Sequence, residues 1–114
     1  MNERRSEVRL LCSELITLRV EDNSRWEGTV NLEDISASGA CVQLEQPVRR
    51  SAKVTIWLGG QAFGGTIRHC THNEIGFFAG IQFDAGTSWS RAMYEPMHLF
   101  DPMQVTQLLS RAAG

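Results

Sequence analysis

Lys53-Val54-Thr55-Ile56-Trp57-Leu58-Gly59-Gly60 is the stretch that decides the fold. Val54, Ile56 and Leu58 alternate with Lys53, Thr55 and Trp57, so in an extended chain they share one face and bury it together. Gly59-Gly60 then separates this run from the next by only two residues. Glycines in a two-residue connection suit the tight turns that join antiparallel strands, which need positive φ. The stretch reads as one strand of a β-hairpin and its turn.

Downstream, Gln61 to Thr71 forms the partner strand, broken by Gly64-Gly65, which suggests a bulge or a place where another backbone or a ligand lies close. His72-Asn73-Glu74 has the composition of another hairpin turn, and Ile75 to Phe83 is a closing apolar strand. Upstream, Gln46 to Ser51 reads as a loop, and Ala40 to Glu45 alternates strictly. A strand from about Arg25 to Asp34 puts Val30 and Leu32 on one face, with Asp34 at the same parity. Glu21 to Ser24 is a turn by composition. From Leu15 the alternation places Ile16, Leu18 and Val20 on one face. Six short strands with short connections predict a mainly β fold, a six-stranded antiparallel barrel that is closed or nearly so.

After Asp84 the pattern changes. Ser88 can cap a short helix through Trp89, Ala92 and Met93 that stops before Pro96. A C-terminal α-helix is better marked: Asp101 at the N-cap, Pro102 at the first helical position, and Gln104 three residues after the cap. Val105, Leu108, Leu109 and Ala112 form its apolar stripe, which must close one end of the barrel or meet a partner. The chain thus divides into a flexible arm over residues 1–12, a barrel over 13–84 and a helical extension over 85–114.

A chain of 114 residues supports one hydrophobic core, and 42% hydrophobic with 21% charged residues is ordinary for a soluble domain. No apolar run approaches the roughly 20 residues of a membrane span, and Met1 opens onto polar residues, so a cytoplasmic protein without membrane insertion is expected. Cys12, Cys41 and Cys70 are odd in number and widely spaced, unlike a secreted disulfide framework. The net charge of −2 disfavours a nucleic-acid polymer as partner, but Arg4, Arg5 and Arg9 make the beginning locally positive.

Between the second and third strands lies Asp34-Ile35-Ser36-Ala37-Ser38-Gly39, a D-x-S-x-x-G turn. Arg5 and Arg9, spaced R-x-x-x-R, bring two five-donor forks within reach of one compact ligand, suited to phosphate oxygens and to the O6/N7 edge of guanine. Asp34 can accept from base N–H donors, and Ser36 can reach a phosphate or sugar oxygen. Gly39 lets the backbone turn with positive φ and leaves room for a ligand. Each piece alone has a plainer reading, a solvated terminus or an Asx turn. Together they describe a guanine nucleotide. His69, Cys70, His72 and Glu74 resemble metal ligands only superficially, since His69 points away from Cys70 and His72 and a second cluster is missing. No nucleophile and base pair up either, so neither a metal, a cofactor nor an enzymatic activity is expected.

Glu3-Arg4-Arg5-Ser6-Glu7-Val8-Arg9 followed by Asp34-Ile35-Ser36-Ala37-Ser38-Gly39-Ala40 resembles the paired signature of the PilZ domain. The resemblance continues through Lys53 to Leu58 and ends at Gly80-Ile81-Gln82-Phe83, covering roughly residues 3 to 84. It implies a six-stranded β-barrel that is a bacterial, non-catalytic receptor for cyclic di-GMP. It implies that Arg5 and Arg9, with Arg4 assisting, clamp the ligand against Asp34, Ser36 and Gly39. It further implies an arm that is mobile alone and wraps over the ligand, altering a surface read by an effector protein. Ser38 departs from the glycine frequent at that position. The arm begins a few residues before Arg5, so no output domain is expected upstream. A PilZ-like module docking on motility or secretion machinery without the nucleotide is the alternative.

Overall fold

The computed structural model describes residues 7–23 and 25–104 of the 114-residue chain. They form six strands, β1 (Leu10–Val20), β2 (Glu27–Ser36), β3 (Gly39–Leu44), β4 (Lys53–Leu58), β5 (Gln61–Asn73) and β6 (Gly76–Phe83). All neighbours are antiparallel in the order β1-β2-β3-β6-β5-β4, and β4 pairs back onto β1 to close the barrel. This is the mainly β, six-stranded architecture that the alternation predicts. No helix among the described residues is long and apolar enough to cross a membrane.

The core is the set of inward positions along each strand. Ile16, Leu18 and Val20 of β1 meet Val30, Leu32 and Ile35 of β2, Ala40, Val42 and Leu44 of β3, and Val54, Ile56 and Leu58 of β4. Phe63 and Ile67 of β5 and Ala79, Ile81 and Phe83 of β6 complete it, with the Phe63 and Phe83 rings 5.5 Å apart. Burying each larger side chain contributes about 1.5–3 kcal/mol, and among the described residues no polar or charged side chain is buried.

The Gly59-Gly60 turn is as the spacing predicts: φ is 59° and 86°, positive at both positions, and Leu58 pairs with Gln61 across it. The next turn falls later than composition suggests. Glu74-Ile75 makes it, flanked by the Asn73–Gly76 pair, and Ile75 is exposed rather than the start of the strand. The Asn73 side chain decides this by accepting a hydrogen bond from the Ile75 N–H at 2.9 Å, an Asx turn. Likewise β1 begins at Leu10 and β2 at Glu27.

Three irregularities of register shape the site. On β2, Leu32 pairs with Val42 and Asp34 with Cys41, so Glu33 is an extra residue. The bulge reverses the parity of the residues after it: Ile35 enters the core and Asp34 leaves it, correcting the expectation that Asp34 shares a face with Val30 and Leu32. On β5, Ile67 pairs with Ile81 and His69 with Gly80, leaving Arg68 extra. The bulge thus lies beyond Gly64-Gly65. Those glycines instead allow close approach, since a Cβ at Gly65 would stand 2.5 Å from the Gln82 carbonyl oxygen. On β1 the register shifts between Leu11 and Glu14.

The segment after β6 packs back on the barrel. Trp89 is buried, its N–H donating to the Ala37 carbonyl at 3.0 Å and its Nε1 to the Tyr94 carbonyl at 2.8 Å. These bonds turn the chain once at 90–94, where the Met93 N–H reaches the Ser90 carbonyl at 3.0 Å, and the short helix expected from Ser88 does not form. Glu14 then clamps the segment, accepting from the Tyr94 hydroxyl and, at 2.8 Å, from the Met97 N–H. Leu11 and Phe100 exchange backbone bonds of 3.0 and 2.9 Å. Asp101 caps the expected terminal helix, its carboxylate accepting from the Met103 N–H at 2.9 Å, and residues 102–104 are helical. The stripe from Val105 onward lies outside the described residues. The Arg19 guanidinium sits 4.9 Å from the centre of the Trp57 ring.

Candidate ligand-binding site

The outward-facing row at the level of the bulges runs across four strands. Asp34 pairs with Cys41, Cys41 with Gly80, and Gly80 with His69. Gly80 has no side chain, so the row dips there. Around the dip is a cleft of about 230 Å³ whose lining includes Glu7, Arg9, Asp34, Ser36, Arg68 and His69. Gly39, Ser38 and Gln82 also border it. Of the residues expected to bind, Arg9, Asp34, Ser36 and Gly39 are therefore brought to one place. Arg4 and Arg5 lie outside the described residues.

Arg9 faces the turn: its Nε is 3.6 Å from the Asp34 carboxylate, the arginine exposed and the acid largely covered. Burial raises the Asp34 pKa above the ordinary range, Glu33 adds to the rise, and Arg9 and His69 act against it. A covered carboxylate kept short of solvent accepts strongly from N–H donors that reach it. Ser36 directs its hydroxyl at the Glu7 carboxylate at 2.9 Å, and its alternative acceptor, the Gly39 carbonyl, is 3.4 Å away.

Gly39 serves the site differently from the expectation. It is absent from the glycines with positive φ. A Cβ at this position would instead stand 2.4 Å from the Ile81 carbonyl oxygen, so glycine is required for β3 to approach β6. The residue holds the wall of the cleft rather than making the turn.

Glu7, Ser38, Cys41, Arg68 and His69 are cleft residues that the sequence alone does not single out as such. His69 lies over Gly80, where a Cβ would be 2.2 Å from its Nε2. His72 is elsewhere, stacked on Phe77 with ring centres 4.3 Å apart. Among the described residues no three His, Cys, Asp or Glu side chains group as metal ligands. Burial, aided by Asp34, pushes the Cys41 thiol up to about 11, which leaves it a poor nucleophile at neutral pH. The polar groups that reach the cleft are hydrogen-bond donors and acceptors above a floor formed by the His69 ring over Gly80, suited to holding a polar, anionic molecule.

A family model described as the PilZ domain matches residues 3–92 of the chain. No curated protein and no solved structure gave a match.

Proposed function

This chain belongs to the PilZ domain family, a family of cyclic di-GMP-binding adaptors, and from that premise we propose that it is a non-catalytic receptor for this nucleotide. Arg4, Arg5 and Arg9 grip guanine and phosphate from the arm, and Asp34, Ser36 and Gly39 form the opposing wall. The ligand is cyclic di-GMP itself, with no further cofactor, and the site acts inside the bacterial cytoplasm. The observation that carries this reading is the convergence of Arg9 with Asp34, Ser36 and Gly39 on one cleft from two separate parts of the sequence.

The same geometry supports a route from ligand to effector. Leu11, two positions after Arg9, is bonded in both directions to Phe100, and Ser13 donates to the Met97 carbonyl at 3.0 Å. Met97, Phe100 and Met103 expose apolar surface there. A change in the arm is thus passed to the C-terminal segment through the start of β1, and an effector protein reads the result.

Titration calorimetry with cyclic di-GMP tests the proposal. Heat of binding is expected, and Arg5→Ala with Arg9→Ala abolishes it. Absence of heat with the intact chain, or unchanged affinity in the double variant, overturns it.

A further inference from the structure

We infer that Ser36 and Ser38 form a two-hydroxyl anion seat, and that Glu7, carried on the arginine arm, fills this seat until a phosphate of the ligand displaces it. Glu7 is then an affinity-setting residue and Ser38 a ligand-contacting one. The inference rests on reading the cleft as part of the cyclic di-GMP site, with the serine turn as its phosphate end.

The geometry is specific. A single carboxylate oxygen of Glu7, Oε1, accepts from the Ser38 hydroxyl at 2.6 Å and from the Ser36 hydroxyl at 2.9 Å. Short O–H···O distances to a charged acceptor mark strong hydrogen bonds. One anionic oxygen held by two converging hydroxyls is also how a phosphoryl oxygen is received. The bonds span 29 and 31 positions of sequence, so they fix the arm to the turn rather than shape either one locally. Two residues further on, Arg9 faces Asp34. The arm therefore holds the turn at both ends, acid on hydroxyls and arginine on acid.

Each serine hydroxyl has one proton to donate. While Glu7 receives both, neither is available to a phosphate. A phosphate arriving beside an ionised carboxylate is repelled as well, and the two hydroxyls hold Glu7 ionised by lowering its pKa, the Ser38 bond most strongly. Binding is then an exchange of anions. Glu7 is exposed, so the released carboxylate is hydrated at once, and the ligand has to overcome only the pair of hydrogen bonds.

Two measurements test this. Amide ¹⁵N relaxation of Glu7 and Val8, recorded on the protein with no nucleotide added, should show an anchored arm that loosens in Glu7→Ala and in Ser36→Ala with Ser38→Ala. Equal order in all three overturns the anchor. In calorimetry with cyclic di-GMP, Glu7→Ala should bind about five- to twentyfold more tightly than the intact chain, the span expected for losing competing charge-assisted hydrogen bonds. Glu7→Gln, which keeps an acceptor and loses the charge, should fall between. Unchanged or weaker affinity in Glu7→Ala, with binding still lost in Arg5→Ala plus Arg9→Ala, overturns the exchange while the nucleotide site stands. No heat from either the intact chain or Glu7→Ala overturns the nucleotide site and the exchange together.

Discussion

The imidazole of His69 occupies the space over Gly80, so close that a Cβ on residue 80 would stand 2.2 Å from Nε2. Gly80→Ala therefore expels the ring from the floor of the cleft. The ring is the exposed end of a rotatable side chain, so the fold should lose no more than about 1 kcal/mol. Affinity for cyclic di-GMP should fall about tenfold, the scale of one base-stacking contact. His69→Ala should reproduce that loss. Thermal melts beside calorimetry separate the two effects, and unaltered affinity in both variants would remove His69 from the site.

Gly39→Ala should behave in the opposite way. Its Cβ meets the Ile81 carbonyl, a backbone atom of β6 that no rotamer change can move. The expected cost is about 1–3 kcal/mol of folding stability. It should be read as a lower denaturation midpoint with an unchanged slope, before any ligand is added.

Asp34→Asn should make the fold more stable and the receptor worse. Burial raises the native pKa of Asp34 above the ordinary aspartate value of 3.8, so the folded chain holds this proton more tightly than the unfolded one. The stabilisation from protonation is fully present below the unfolded value and is lost as pH rises through the raised native one. At neutral pH the ionised side chain is a net burden, and its neutral isostere should add on the order of 1 kcal/mol. The advantage of the variant should shrink as pH is lowered from 7 to about 4. Denaturation at several pH values tests this, and an advantage independent of pH would refute it. Binding of cyclic di-GMP should weaken in parallel, because the amide presents one acceptor where the carboxylate presents two.

Glu14 joins β1 to the C-terminal segment through Tyr94 and the Met97 N–H. Glu14→Ala should cost about 1–3 kcal/mol and Tyr94→Phe somewhat less. The double variant should cost less than the sum, since both remove the same hydroxyl–carboxylate bond. Strict additivity in the cycle would show that the bond contributes nothing in solution.

The barrel is legible in the sequence because alternation is local: Val54, Ile56 and Leu58 announce their face without reference to any partner. Asp34 is recognisable by type but falls on the wrong face when parity alone places it, because a bulge is defined by the register of the neighbouring strand. Ile35, a large apolar residue one step out of phase behind two consecutive acids, is the available sign. Arg68-His69 ahead of Cys70 repeats it on β5. Glu7 and Ser38 leave no such mark, since their pairing exists only once the arm meets the turn. Gly39 stands out by type for a reason that the structure replaces, because the Ile81 carbonyl that crowds it is 42 positions away in the sequence.

A regular ladder shows every second side chain to solvent, whereas a bulge shows two in succession. The bulge on β2 turns out Glu33 and Asp34, and the one on β5 turns out Arg68 and His69, with β3 and β6 between them. Of the strand-borne groups that line the cleft, Asp34 thus stands on one bank and Arg68 with His69 on the other. Such a trough has a direction. A molecule with N–H donors and anionic oxygens at separate ends is oriented by the field of the cleft, and the same molecule reversed is opposed by it.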